Sequence, residues 1–257
     1  MANLSVVIIT FNEERNIARC LDSVAGLTDD ILVVDSLSTD ATEAICRSYN
    51  VRFIRHQWEG YAASKNFANG QARNDRILSL DADEALSPEL RQSIAGLVGE
   101  DAGNAYKFNR LTNYCGHWIR HGGWYPDTKV RIFNRTGTQW CGSIHESLEG
   151  IDEKRALQLA GDCYHYTYYS VAEHLLQMRG FTDMMAEDAF RQGKRPSLAR
   201  LLISPAAKFI RDYCIRGGFL DGKSGLLIGA LSAYATYLKY AKLRALHSGG
   251  TLREAAS

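Results

Sequence analysis

Glycine-rich phosphate loops are missing from this chain of 257 residues. Neither G-x-G-x-x-G nor G-x-x-x-x-G-K-[ST] occurs, which argues against dinucleotide and P-loop modes of phosphate binding. Cysteine is sparse: Cys20, Cys46, Cys115, Cys141, Cys163 and Cys214 stand singly, with no C-x-x-C pair and no zinc-ligand spacing. They read as reduced thiols in a cytosolic setting. The start of the chain has no basic segment, and residues 5–9 are too short for the apolar core of a secretion signal. The uncharged stretch at residues 224–238 falls short of the roughly 20 apolar residues that a spanning helix needs. No internal repeat or low-complexity tract is visible.

Charge is present but unevenly placed. The formal net charge is +1, yet residues 1–190 carry a net −8 and residues 191–244 a net +9, with only Asp212 and Asp221 as acids in the latter. Such segregation points to an anionic partner for the C-terminal part, either a membrane surface or a nucleic acid. The hydrophobic fraction of 46% is ordinary for a globular chain with a sizeable core.

Strand and helix signals alternate over the first hundred residues. Residues 4–10 form a nearly continuous apolar run that suits a strand buried on both faces, and residues 31–35, 51–54 and 76–80 read as further short strands. Between them lie helical signals: Ile17, Leu21 and Val24 at helical spacing, an acid-rich start at residues 39–43, and residues 61–72. The alternation predicts a parallel sheet with helices on both sides. Strands follow at residues 105–110 and 129–134, around a glycine- and aromatic-rich loop at 114–127. From residue 171 onward the signal is helical.

One stretch concentrates the chemistry. Residues 77–80 form a buried-strand pattern that runs directly into Asp81-Ala82-Asp83-Glu84. A strand delivers these acids to its carboxyl end, where open α/β sheets place their ligand crevices. Acids crowded against an apolar wall are costly unless paired, and a divalent cation resolves the cost. Hard oxygen ligands suit Mg²⁺ or Mn²⁺. The plain alternative is a solvated acidic turn before a helix capped by Ser87-Pro88-Glu89. Three further polar clusters belong to the same edge: Thr10-Phe11-Asn12-Glu13, residues 35–40, and Ser64-Lys65-Asn66.

Together these clusters resemble a known family. Thr10-Phe11-Asn12-Glu13, Val34-Asp35-Ser36 and Leu80-Asp81-Ala82-Asp83-Glu84, at these separations, look like family 2 inverting glycosyltransferases of GT-A fold. Trp124-Tyr125-Pro126-Asp127, Val130-Arg131-Ile132-Phe133, Ile144-His145-Glu146 and Gly218-Phe219-Leu220-Asp221-Gly222 are similar to one bacterial branch. That branch includes the lipopolysaccharide core β-1,4-glucosyltransferases that add glucose to heptose. The resemblance implies an α/β, Rossmann-like mixed sheet with helices on both faces, a UDP-sugar donor and a lipid-linked glycan acceptor. It implies roles as well: Asp35 on uracil, Asp81 on ribose, and Asp83 on a Mn²⁺ or Mg²⁺ bridging the diphosphate. Thr10, Asn12 and Glu13 would contact the nucleoside, with Lys65 near uracil or diphosphate.

Inverting transfer needs one general base for the acceptor hydroxyl. Glu146 is the first candidate and Asp127 the second; each has a plain reading as a surface turn residue. Arg131 suits the diphosphate as a planar double donor, or else faces solvent. His145 and His165 stand nearest the site as further metal ligands, although a lone histidine is more often a structural hydrogen-bonder. Trp118, Trp124 and Tyr125 divide between sugar stacking and packing.

The expected division is a catalytic domain at residues 1–168 and a helical, basic region at 169–257. The latter is expected to lie on an anionic membrane surface, since Lys223, Lys239 and several tyrosines flank its apolar stretch. That places the protein peripherally on the cytoplasmic face of the membrane. Two other classes compete. A nucleotidyltransferase would carry glycine after the first strand, and none is there. A nucleic-acid-binding module would leave the acidic crevice without a use, so no nucleic-acid partner is expected. A transferase for another cell-envelope polysaccharide is the nearer alternative.

Overall fold

A computed structural model describes residues 3–97, 104–142, 147–195 and 197–249. The predicted alternation appears as β1 (Leu4–Thr10), α1 (Ile17–Val24), β2 (Asp30–Asp35), α2 (Thr42–Arg47), β3 (Arg52–Arg55), α3 (Tyr61–Gly70) and β4 (Arg76–Asp81). Then come β5 (Glu84–Leu86), α4 (Pro88–Ala95), β6 (Tyr106–Tyr114), β7 (His117–Ile119) and β8 (Asp127–Asn134). A small hairpin, β9 (Gln139–Cys141) with β10 (Ser147–Glu149), precedes the long β11 (Leu157–Tyr168). Three helices close the chain: α5 (Val171–Arg191), α6 (Leu198–Phe209) and α7 (Gly222–His247).

The main sheet runs β3-β2-β1-β4-β8-β6-β11-β5, with β7 on β6. Its first four strands are parallel, and β8 then pairs antiparallel to β4. The sheet is therefore mixed, with helices on both faces. All seven residues of β1 are buried, and successive side chains serve opposite faces. Val6 and Ile8 join Ile17 and Leu21 of α1 and Leu90 of α4. Val7 and Ile9 join Ala68 of α3, Phe133 and Trp140. Each such side chain contributes about 1.5–3 kcal/mol when fully buried. The start of α4 follows the sequence signal, because Ser87 accepts a hydrogen bond from the Leu90 amide at 3.1 Å and Pro88 opens the helix.

Packing divides the chain into two units: Met1–Leu111 with Asp127–Tyr166, and Thr112–Pro126 with Thr167–Ser257. A single boundary after residue 168 thus misplaces one segment. Residues 112–126 belong with the C-terminal helices because Asp221 holds them. Its carboxylate accepts from the Arg120 amide at 3.2 Å, the His121 amide at 2.8 Å and His121 Nδ1 at 2.9 Å. This explains part of the Gly218–Asp221 motif, and close packing explains the rest. A Cβ at Gly225 on α7 would overlap the Gly218 carbonyl oxygen. Gly225→Ala is accordingly expected to destabilise the second unit by about 1–3 kcal/mol, the usual cost of overpacking. A thermal melt matching the parent protein would show that the helix can slide to make room.

The same unit holds Trp124, which packs edge-on to Tyr114 at 5.8 Å beside Tyr168 and His174. Of its two readings, packing is the one its contacts show. Buried His174 lies 3.0 Å from the Tyr114 hydroxyl through Nδ1, and burial pushes its pKa below the ordinary 6.5. The folded state therefore takes up fewer protons than the unfolded one as pH falls below about 6.5, so stability present above that pH is lost below it. We expect the melting temperature to fall from pH 6.5 downward, and His174→Gln to flatten that slope. An unchanged slope would assign the acid sensitivity elsewhere. No helix among the described residues is long and apolar enough to cross a membrane.

Candidate active site

Strand register gathers the expected residues at one edge of the first unit. Thr10 pairs with Asp35 across β1 and β2, and Ile9 pairs with Asp81 across β1 and β4. The carboxyl ends of three parallel strands therefore meet, which is where sequence reasoning put the crevice. Asp81 closes β4, residues 82 and 83 turn, and Glu84 opens β5, a strand the acidic-turn reading did not foresee.

A buried ion network occupies the floor. Asp81 lies 3.2 Å from Lys65 Nζ and 3.0 Å from Arg131. Burial opposes ionisation of Asp81, but Lys65 and Arg131 outweigh it and hold the carboxyl well below the usual range. Glu84, with a side chain wholly out of water, accepts from Arg131 at 2.7 Å and Arg110 at 3.1 Å. Its second oxygen accepts the Asp81 amide at 3.0 Å. One carboxylate thus orients two guanidinium groups and fixes the tight turn that presents Asp83. Burial works against charge on Arg131 too, and Glu84 and Asp81 raise its pKa above the ordinary arginine value. Arg131 is neither solvent-facing nor free on the described surface; it is a buried strut.

Asp83 differs from its neighbours. Its ion-pair partner among the described residues is His165, at 3.1 Å through Nε2, and both side chains keep some exposure. The Asp83 carbonyl accepts the Tyr166 amide at 2.9 Å, and the Arg19 guanidinium lies over the Tyr166 ring. Burial lowers the His165 pKa, but Asp83 more than compensates and raises it. Among the described residues no group of three or more His, Cys, Asp or Glu side chains is placed to hold a metal. A carboxylate and an imidazole, completed by phosphate and water oxygens, nevertheless fit a magnesium- or manganese-type site.

The remaining expected residues fall in three places. Asn12, at a positive φ of 53°, donates its amide to Ser38 Oγ at 2.8 Å and accepts the Thr39 amide at 2.8 Å, so it ties two edge loops together. Asp35 is fully buried and accepts from the Ser38 amide at 2.9 Å and from the Ser38 hydroxyl. Glu13 bonds Asn16 at 2.7 Å, and burial, aided by Asp83 and Asp40, pushes its pKa up to about 7. Thr10 Oγ1 is buried with no protein partner among the described atoms. Asp127 is clamped by Arg110 at 2.6 Å and Lys129 at 3.1 Å; burial alone would raise its pKa, but these cations lower it. Glu146 and His145 lie outside the described residues.

Sequence reasoning missed Glu84 and Arg110 as members of the site. For Glu84 the signal was the third acid in the run, read as part of a turn. Arg110 stands two residues after buried Phe108 in β6, and its role depends on long-range pairing with Asp127.

A mixed sheet with acids gathered at the carboxyl ends of its parallel strands has the crevice of an open α/β enzyme. The chain belongs to glycosyl transferase family 2, whose model matches residues 5–147, more than half its length. It is similar to an uncharacterized glycosyltransferase of Rickettsia typhi, 33% identical over 96% of this chain and 88% of that one. It is also 28% identical to the lipopolysaccharide core biosynthesis glycosyltransferase LpsC of Rhizobium meliloti, over 95% of this chain and 93% of LpsC. Among solved structures, S. aureus TarS 1–349 aligns with a TM-score of 0.49 at 16% identity, covering 98% of this chain and 93% of that one.

Proposed function

We propose that the enzyme transfers a sugar, glucose in the first instance, from a UDP-sugar to a lipopolysaccharide inner-core heptose or a similar lipid-linked acceptor, with inversion. The observation that carries the mechanism is the contrast between Asp81 and Asp83. Lysine and arginine neutralise the first, whereas the second keeps a carboxylate and an adjacent imidazole at the exposed end of the network. Asp83 and His165 would hold a Mn²⁺ or Mg²⁺. The ion would supply charge stabilisation for the departing diphosphate. Lys65 and Arg131 cancel the charge of Asp81, so the floor does not repel an anionic leaving group above it. The unpartnered Thr10 hydroxyl offers a polar contact to a bound nucleoside, since a buried orphan costs about 1–3 kcal/mol until satisfied. Similarity to LpsC, named for lipopolysaccharide core biosynthesis, supports the acceptor class, and the resemblance of the Asp35 and Asp81 motifs to nucleoside-binding positions supports the UDP donor.

The base assignment favours Glu146. A general base works best with a pKa near the operating pH, and the cations around Asp127 move that group the wrong way. Glu146→Gln is expected to slow transfer about 10²–10⁴-fold with donor affinity retained. Should Asp127→Asn give that result and Glu146→Gln behave like the parent enzyme, the assignment passes to Asp127.

The reading as a whole is tested by a donor screen: thermal protection and metal-dependent hydrolysis across UDP- and GDP-sugars. Protection by a GDP-sugar and none by UDP would overturn the nucleotide assignment. Location at the cytoplasmic membrane face belongs to the same proposal, supported by the net +9 of residues 191–244.

A further inference from the structure

The second unit contains a charge cluster that the transfer reaction does not use. Asp212 sits in a π-helical turn, Ile210–Ile215, directly after α6, and its side chain is only 5% exposed. Three cations converge on it: Lys208 at 2.6 Å, Arg211 at 3.0 Å and Arg216 at 3.6 Å. One buried carboxylate cannot neutralise three cations, so the group carries a net +2. Burial opposes ionisation of Asp212, but Lys208 and Arg211 keep its pKa below the ordinary value. The carboxylate therefore stays charged and acts as a fixed pin. Arg211 and Arg216 are about half exposed, and each guanidinium has more donors than Asp212 can accept.

The surroundings of this cluster are apolar and wet. Helix α6 has no buried residue at all. Leu202, Ile203, Ile210, Ile215, Phe219 and Leu220 are each more than half exposed. A soluble surface seldom leaves so many large apolar side chains near one another without a partner. Nucleic acid would match the cations but not this rim, because phosphates and sugars gain nothing from it. An anionic phospholipid matches both, presenting a phosphate to the cations and hydrocarbon to the isoleucines and leucines.

We propose that Lys208, Arg211 and Arg216, organised by Asp212, form a headgroup site for an anionic phospholipid, with the apolar side chains of α6 and of residues 210–220 entering the acyl boundary. This rests on the membrane reading above and narrows it. The contact is assigned to α6 and the turn after it, not to the uncharged stretch of α7.

Sedimentation of the full-length enzyme with vesicles tests it, using phosphatidylcholine alone and phosphatidylcholine with phosphatidylglycerol. We expect binding to the mixed vesicles, weakening as salt rises. The double variant Arg211→Ala/Arg216→Ala should bind them roughly 30-fold more weakly, from about fivefold per cation, with donor hydrolysis unchanged. A second variant, Ile215→Ser/Phe219→Ser, leaves every Asp212 partner in place and should also lose vesicle affinity while keeping the salt dependence of what remains. Strong vesicle binding by the parent and equally by both variants would overturn this site and leave the membrane reading intact. No vesicle binding by the parent at low salt would overturn both. Thermal protection by millimolar inorganic phosphate, lost in Arg211→Ala/Arg216→Ala and unaccompanied by vesicle binding, would make the cluster a site for a free anion. Salt-sensitive retention on DNA in place of vesicles would make the partner a nucleic acid.

Discussion

Asp83→Ala is expected to abolish sugar transfer and metal-dependent UDP affinity while the protein stays folded. The side chain is partly exposed, and its ion-pair partner among the described residues is His165, a group that can shed its proton, so removing Asp83 leaves no permanent cation stranded. What is lost is the carboxylate proposed to hold the ion that offsets diphosphate charge, an effect worth several kcal/mol in the transition state. Since each 1.4 kcal/mol is tenfold in rate, a fall of at least about 10²-fold is expected. The check is initial rate against Mn²⁺ and Mg²⁺ concentration, alongside a thermal melt with and without UDP. Full activity of the parent enzyme after exhaustive chelation would sink the metal role.

Glu84→Gln should fail in the opposite way, through the fold. The amide keeps the shape but not the charge, and it leaves the buried Arg131 guanidinium, and Arg110 beside it, without the anion they share. Removing one member of a buried ion pair typically costs about 3–5 kcal/mol. For a chain of this size that is a drop on the order of 10 °C in melting temperature. A double-mutant cycle with Arg131→Met separates the pair from its setting: coupling well above additivity is expected, because the residues touch. Strict additivity would mean that the network is held by its surroundings and not by Glu84. The two substitutions thus act on neighbouring carboxylates with different outcomes, one chemical and one structural.

The contrast between Asp83 and Glu84 also marks how far the sequence could be read. The parallel core was legible because β1, β2 and β4 are short apolar runs with helical periodicity between them, a local signal. So was the convergence of Thr10, Asp35 and Asp81, since parallel topology alone places those ends together. That Asp81 is paired with buried cations and Asp83 with a histidine was not legible. That depends on Lys65, Arg110 and Arg131, which arrive from α3, β6 and β8 through pairings made at long sequence separation. Arg131 shows the difficulty most plainly: strand alternation assigned it a face but could not say that the face would be buried. The long strand β11 was also missed. Its residues include Gly161 and several polar side chains, and it carries His165 to Asp83 from more than eighty positions away. Segment 112–126 was misassigned for the same reason, being held by a carboxylate far along the chain.

That last attachment has a bearing on biosynthesis. His121 and its anchor Asp221 are separated by 100 residues. Ribosomes add about 5–20 residues per second, so the loop around His121 leaves the peptidyl-transferase centre roughly 5–20 s before its anchor is made. The first unit has most of its chain in that interval and can begin to fold, while Arg120 and His121 wait without the carboxylate that holds them. A stop codon between residue 126 and Asp221 would make that wait permanent. Truncated products should therefore be recognised by chaperones or proteases through residues 112–126, a segment far from the break.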